Sequence, residues 1–587
     1  MPSAVFHPAV SPLSPTSRRR ALAEVALIFA VFFLQGAWPV PEVNEPHYLG
    51  KAIHDWNPDW LRGDFFIETP DVHRVFNFGF GWLSLWLGPV PLAWAGRALT
   101  WLLLAWAWRR LSWAIVPRPW CSVLTAALFG WLMENCHMAG EWVVGGVEAK
   151  GVAYALVLLG LEAIVRNRWN RGLLWLGAAS SLHVLVGGWA AIAAGVAWLW
   201  LAKPRPPVAG DSATTGRGGP HPSPLPKGER TVPSLRSLWP GLLGGLLLAL
   251  PGILPALALD GGAGREMIHE AHAIYVYERL PHHLLLSAIQ PWFIARLALL
   301  WAFWIVVGWM ERRRGREEKV VRLRAFVTGA VVICLTGAAI NALVLVDRSL
   351  AADLMRLYWF RLTDVALPLA VALEGVGLLA AEGPLSLWER VRVRANVSPL
   401  PLGEGAGVRA ETSHRPQVSE RRNWLFRRAG WLLALGLAAY QLGGHAVQRM
   451  WPSEPRAEKM ANPADWRAAC EWVARSGKVP RDAIFLVPRG SQTFTWYSHH
   501  GEVVAWKDVP QDAEGLVQWW RRMKDIYDTG LAPPEQWRDS LGELSATRLR
   551  QLGAKYGAGY VITGRPEHPP ACECVYENPS YLIYRLR

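Results

Sequence analysis

Charge and cysteine are both scarce in this chain. Asp, Glu, Lys and Arg make up 18% of its 587 residues, against about 25% in a typical soluble domain. So few charges cannot coat a soluble surface of this size. Six cysteines exclude a disulfide-built scaffold. Cys121, Cys136 and Cys334 lie in or beside apolar runs and read as packing residues. Cys572 and Cys574, one residue apart, fall short of the four ligands of a structural zinc site. An extracytoplasmic tail would let Cys470 pair with one of them and leave the other free. The tail also lacks a catalytic triad, a P-loop and a GxGxxG turn, and His499-His500 stands isolated there.

Hydrophobic residues are abundant, at 52%, and there are 35 tryptophans. Apolar runs recur at roughly 21–40, 75–108, 120–134, 150–166, 173–201, 237–258, 290–310, 325–346, 362–381 and 429–447. Gly88-Pro89-Val90-Pro91 breaks the second run into a short segment and a full span. His183 and Gly187-Gly188 split the fifth into two short helices. The net charge of +14 comes from arginines in short loops, such as Arg18-Arg19-Arg20, Arg109-Arg110 and Arg312-Arg313-Arg314. That is positive-inside patterning, not a nucleic-acid surface.

The expected fold is a polytopic α-helical membrane protein of about ten to twelve membrane segments with a small C-terminal α/β domain. Residues 1–20 form a cytoplasmic tail, and 21–382 form the transmembrane domain, interrupted by a flexible insert at 203–234. A basic loop at 383–428, a last span at 429–447 and an extracytoplasmic domain at 460–587 complete the chain. The two loops share a near-repeat, Ser223 to Glu229 and Ser398 to Glu404, which reads as inserted sequence. In the tail, 465–475, 513–527 and 545–552 read as helices, and 483–487, 502–505, 560–562 and 581–584 as strands.

Chemistry-bearing residues gather in the outer loops. After the first span, Asn44 can cap a helix that Pro46 begins. Tyr48, Ala52, Ile53 and Trp56 would share one face of that helix and lay it on the membrane surface. Glu45 stands at its start, with Glu42, His47 and Asp64 nearby. In His137 to Lys150, Glu141, Glu148 and Lys150 sit at the edge of a span, where charge marks a site or an ion pair. Glu148 and Lys150 are two apart and should not face each other on a helix. Residues 265–283 read as one amphipathic helix bearing His269, His272, Tyr275 and Arg279 and ending at His282-His283. The guanidinium of Arg279 suits a phosphate. The four histidines lack a set of carboxylates that would indicate a metal. His183 sits at membrane depth, and Arg361 and Asp364, one turn apart, read as an ion pair.

The outer loop with an acidic residue before Pro-x-Tyr, the following helix, Trp60 and Asp64-Phe65-Phe66 resemble the GT-C-type glycosyltransferases, such as protein mannosyltransferases and aminoarabinose transferases. The resemblance extends in architecture over about residues 20–380, and the chain also looks like an uncharacterised bacterial multi-pass membrane family. It implies a bacterial inner-membrane enzyme that moves a sugar from a polyprenyl-phosphate donor to a glycan, lipid or protein acceptor on the periplasmic side. In the family an Asp-Glu pair carries the base. Here Asn44-Glu45 takes its place, so the base falls to Glu45, Glu42 or Asp64. Tyr48, His47, Lys150, Glu148, Arg279, His282, His283, His183 and Arg361 would line the substrate site. The cofactor is unknown: Glu45 could bind a divalent metal that holds a phosphate, but the sequence does not indicate one. The alternative is a non-enzymatic transport or envelope-assembly scaffold with a periplasmic interaction domain.

Overall fold

The computed structural model describes residues 15–202, 232–314, 317–381, 417–451 and 453–586. Both near-repeat segments and most of the two expected inserts lie outside the described residues.

Helices dominate. In chain order they are α1 (Pro15–Gly36), α2 (Glu45–Trp56), α3 (Arg74–Gly81), α4 (Pro89–Ile115), α5 (Cys121–Cys136), α6 (Ala149–Val165), α7 (Trp169–Leu182) and α8 (Val184–Ala202). There follow α9 (Leu235–Ala258), α10 (Arg265–Ala273), α11 (Pro281–Leu284), α12 (Pro291–Arg314), α13 (Glu318–Asn341), α14 (Arg348–Met355), α15 (Arg361–Ala380) and α16 (Gln417–Met450). Among the described residues, six helices are long and apolar enough to cross a membrane: α4, α8, α9, α12, α13 with its continuation to Leu345, and α15. The expected ten to twelve segments exceed that number. The apolar helices α5, α6 and α7 have only 16, 17 and 14 residues, short of the roughly 20 that a bilayer core demands. The proline cluster does start a new helix at Pro89, and His183 does separate α7 from α8. α16 reaches back to Gln417, into the stretch expected as loop.

Small residues let the helices approach. α7 and α9 cross where a Cβ on Gly177 would lie 2.0 Å from the Gly245 carbonyl oxygen, so neither position tolerates a side chain. The bundle core is apolar and Trp-bearing, with Trp101 and Trp108 fully buried.

The tail is an α/β domain. Its helices are α17 (Pro463–Arg475), α18 (Phe494–Ser498), α19 (Ala513–Tyr527) and α20 (Ala546–Tyr556), and its strands are β1 (Ile484–Leu486), β2 (Gly501–Glu502), β3 (Tyr560–Gly564), β4 (Glu573–Glu577) and β5 (Tyr581–Arg585). They form one sheet in the order β2-β1-β3-β5-β4. β1 runs parallel to β2 and β3, while β5 runs antiparallel to β3 and β4. Side-chain alternation divides the core in two. Phe485, Tyr560, Ile562 and Ile583 face Trp466 and Cys470 of α17. Leu486, Val561, Leu582 and Tyr584 face Trp519 and Met523 of α19. Ala271 and Ile274 of the helical bundle belong to that second core, so the two parts are packed together. Strand β4 and helix α18 were not expected from the sequence. All six thiols are free, and Cys470 is walled into the first core, away from Cys572 and Cys574.

Candidate functional site

The loop after α1, expected on the outer side, is an internal element rather than a surface one. Helix α2 buries Leu49, Ala52 and Ile53, together with Glu45 and Lys51, against α3 and α4. Only Trp56 of the expected membrane face stands exposed, at 38%. The one charged residue between Leu49 and Ile53, Lys51, is satisfied inside the protein, which a helix lying in lipid would not need. Lys51 Nζ donates to the carbonyls of Phe66 (2.9 Å) and Thr69 (2.6 Å) and so ties the following loop down. Asn44 precedes the helix, but its side chain does not cap it. It donates instead to Glu148 Oε2 at 3.1 Å.

Glu45 is 1% exposed, and both of its oxygens are taken. Arg97 grips them through Nε (2.6 Å) and Nη2 (2.7 Å), Val147 N donates to Oε1 (2.9 Å), and Glu42 N donates to Oε2 (2.8 Å). Glu42 faces Arg456 of the tail at 3.6 Å, and burial raises its carboxyl above the usual range. Asp64 is also buried. Its two oxygens accept from Ile67 N (2.8 Å) and Glu502 N (2.9 Å), so it pins the loop to β2. Burial pushes its carboxyl up to about 7. Glu42 and Glu45 therefore stand side by side and Asp64 apart from them, each engaged in holding backbone or an arginine.

The second charged stretch does form a cluster. Glu148 precedes α6 in extended backbone (φ −156°), so helical spacing does not apply to it, and Lys150 turns back towards it. Lys150 Nζ lies 3.8 Å from Glu148 Oε2 and 3.7 Å from Glu141 Oε1, above the Trp142 ring at 3.9 Å. Trp142 Nε1 donates to Glu148 Oε1 at 2.6 Å. Arg361 stacks on Tyr358 at 3.5 Å and approaches Glu141 Oε2 at 3.2 Å. The expected Arg361–Asp364 pair does not form. Asp364 points the other way and accepts from Met138 N and Ala139 N, each at 2.8 Å, shaping the loop that carries Glu141. Neither Glu141 oxygen has a well-formed hydrogen bond, although the residue is 2% exposed.

Residues 265–283 are not one solvated helix. α10 gives way to a π-helical turn over Ile274–Arg279, which rotates the later residues out of phase. His269 and His272 turn to Asp353, at 3.0 Å and 2.6 Å. Tyr275 and Tyr358 share a hydroxyl–hydroxyl bond of 2.6 Å. Arg279 donates to the Trp506 carbonyl at 3.1 Å and packs on that indole. His283 Nδ1 bonds the Ala139 carbonyl at 2.8 Å and stacks with His282 at 4.2 Å. Burial, His282 and Arg361 depress the His283 imidazole to about 3, so it is neutral. Among the described residues no three His, Cys, Asp or Glu side chains form a metal-holding group.

The tail supplies residues that the sequence pattern did not mark. Lys507 enters from the turn after β2, within electrostatic reach of Arg279, Asp508, Glu148 and Lys150. Burial, then Arg279, lowers its ammonium to about 8. Asp508 meets His47 at 3.6 Å. His73 and Asp71 form a 3.0 Å contact beside Tyr48, with ring centroids 5.0 Å apart, and His183 lies 5.2 Å beyond. Asp71 keeps its carboxyl well below the usual range: His73, Lys51 and Asn77 outweigh the opposing effect of burial. Asp71-x-His73 was visible as a spacing in the first outer loop. Lys507-Asp508 looks like any charged turn until the fold brings it to the bundle.

One neighbourhood thus collects Tyr48, His47, Glu148, Lys150, Arg361, Arg279, His282, His283 and His183, and adds Lys507, Asp508, Glu141, Asp71 and His73. Glu45 stands behind it and Asp64 to one side. Residues 464–526, in the tail, match a family described as a domain of unknown function, DUF6798. Comparison with curated proteins finds no match.

Proposed function

We propose that the chain is a membrane-embedded glycosyltransferase of GT-C type that binds a polyprenyl-phosphate sugar at the seam between bundle and tail. The observation that carries this reading is the charge balance there. Lys150 and Arg361 stand against Glu141 and Glu148, whereas no carboxylate lies at ion-pair distance from Arg279 or Lys507 among the described residues. Two such cations beside apolar helices suit a lipid-borne phosphate, with Arg279 offering a fork and Lys507 a point charge. On this reading the bundle sits in a bacterial inner membrane and the seam faces the periplasm.

Glu45 is then a positioning residue. His73 is the better proton acceptor, because Asp71 holds its Nδ1–H and leaves Nε2 free. The acceptor hydroxyl attacks the anomeric carbon. The bond from that carbon to the donor phosphate oxygen breaks, its electron pair leaves on the phosphate, and the hydroxyl proton passes to His73. A single displacement inverts the anomeric carbon. The scaffold alternative draws on the same packing of tail against bundle, which would suit an assembly platform.

Turnover separates the two. Purified full-length protein should release sugar from an undecaprenyl-phosphate donor, and His73→Gln should bind that donor but release less than about a hundredth as much, the loss typical of a missing general base. Absence of turnover with every polyprenyl-phosphate sugar tried would leave the scaffold as the better account.

A further inference from the structure

A cavity of about 820 Å³ lies on the flank of the bundle, between α5, α12, α15 and α16. Its floor is apolar and buried, with Leu300 and Val307 of α12 and Val376 of α15. Its rim carries the exposed side chains of Phe303 and Leu433, so it opens sideways as a groove. Gly375 of α15 keeps it open. A Cβ there would meet nothing within 4 Å, whereas Gly177 has no room for one. Glycine weakens a helix interior, and no neighbour demands this one, so what it leaves is space. Arg314 and Arg427 stand at one end of the groove. Arg314 Nη1 donates to the Leu378 carbonyl and Arg427 Nη2 to the Leu379 carbonyl, each at 2.9 Å. Those carbonyls belong to the last turn of α15, which a helix leaves without donors of its own. The two bonds hold the guanidiniums in place and leave donors to spare on each. No carboxylate lies at ion-pair distance from either among the described residues. At the other end Arg296 stands over the Trp292 ring and donates to the Asn135 carbonyl at 3.3 Å. Arg296 and Arg314 are separated by about 27 Å of α12, close to the roughly 30 Å of a bilayer core.

We propose that this groove holds an anionic glycerophospholipid, with an acyl chain along its floor and the phosphate on Arg314 and Arg427. A soluble anion would leave the apolar floor bare, and a lipid without net charge would leave the guanidiniums unmatched. A lipid with an anionic head satisfies both, and a pair of guanidinium forks suits a phosphate. The head goes to this end because two cations attract it there and one at the other, and Arg312 and Arg313 continue the basic end of α12. It is also the end away from the seam: Arg361 begins α15, whereas Leu378 and Leu379 lie in its last turn. A donor phosphate at the seam therefore belongs to the opposite end of the bundle, and the groove is a separate site. Positive-inside patterning turns its arginine end to the cytoplasmic leaflet, where anionic phospholipids collect. The inference rests on these helices crossing a bilayer, not on the transferase reading. A lipid bound here fills the space between α12 and α16 and stabilises the folded state.

Native mass spectrometry tests this on the full-length protein, delipidated in detergent and titrated with phosphatidylglycerol, phosphatidylcholine or undecaprenyl phosphate. One phosphatidylglycerol should bind saturably, at least about tenfold more tightly than phosphatidylcholine, and should raise the unfolding temperature. Arg314→Gln/Arg427→Gln and Gly375→Leu should each weaken that binding about tenfold or more. Arg296→Gln and the seam variant Arg279→Ala/Lys507→Ala should leave it unchanged. Without lipid, Gly375→Leu should unfold no earlier than wild type, because its side chain enters open space. Should the double glutamine variant fail to fold, Arg314→Lys/Arg427→Lys, which keeps the charges and loses the forks, should still bind more weakly than wild type. Equal binding of the two phospholipids, or unchanged affinity in Gly375→Leu, would overturn the proposal. So would loss of binding in Arg296→Gln, or tighter binding of undecaprenyl phosphate that Gly375→Leu abolishes.

Discussion

Glu45 and Glu141 are both buried carboxylates beside the same loops, and they are treated in opposite ways. Glu45 has two bonds from Arg97 and two from backbone amides. Glu141 has Lys150 at 3.7 Å and Arg361 at 3.2 Å, but no hydrogen bond of good geometry to either oxygen. A saturated buried ion pair is architecture: it fixes where α2 meets α4 and has nothing left to offer a ligand. An unsaturated one, with cations that can trade partners, can exchange a carboxylate for a phosphate. The residue nearest the pattern of the resembled family is thus the one least free to react, and the proposed donor site is placed instead at the seam with the tail.

The sharpest way to break the comparison is to break the saturated pair. Arg97→Ala strands Glu45 in the interior, and such losses cost about 3–5 kcal/mol. Thermal unfolding in detergent should show a drop of that order, with yield and every activity falling together. At the seam the reverse should hold. Arg279→Ala and Lys507→Ala each remove one charge-assisted bond, worth about 1.5–3 kcal/mol. Donor affinity should fall roughly ten- to hundredfold per substitution while unfolding barely moves.

A smaller effect comes from pH. Lys507 has its ammonium lowered to about 8 by burial and Arg279. The unfolded chain therefore holds this proton more tightly than the folded one, and the stability contribution grows as pH rises from about 8 towards the ordinary lysine value. Donor binding should move the opposite way and weaken above about pH 8, because it needs the charged form. Titrations from pH 6 to 9 in wild type and Lys507→Ala should show that slope in the former only. A second pH effect concerns Asp64. With its carboxyl raised to about 7, the folded state holds the proton more tightly than the unfolded one. Stability should decline as pH climbs from about 4 through 7, and Asp64→Asn should flatten that decline in unfolding scans.

Much of the fold was readable because its signals are local. The apolar runs mark the helices of the bundle, Gly88-Pro89 marks the start of α4, and 513–527 coincides with α19 (Ala513–Tyr527). Strand β4 has no period-two pattern to read, because a bulge between Cys574 and Tyr576 breaks its register and its two core-packed residues, Val575 and Tyr576, are neighbours in sequence. The site was legible only as a set of outer loops. Its pairing was not, since Glu148 reaches Lys150 through an extended backbone before α6, and the π-helical turn after α10 moves Arg279 onto Trp506. Lys507 needed the tail to fold back on the bundle before it meant anything, and no periodicity records that contact.

Equilibrium binding of an undecaprenyl-phosphate-linked sugar to the full-length protein, with Arg279→Ala/Lys507→Ala beside wild type, tests the seam as a phosphate site most directly. Saturable binding by wild type, lost in a double variant that unfolds at the same temperature, is the result expected. Equal binding by both proteins, or none by wild type, would contradict it.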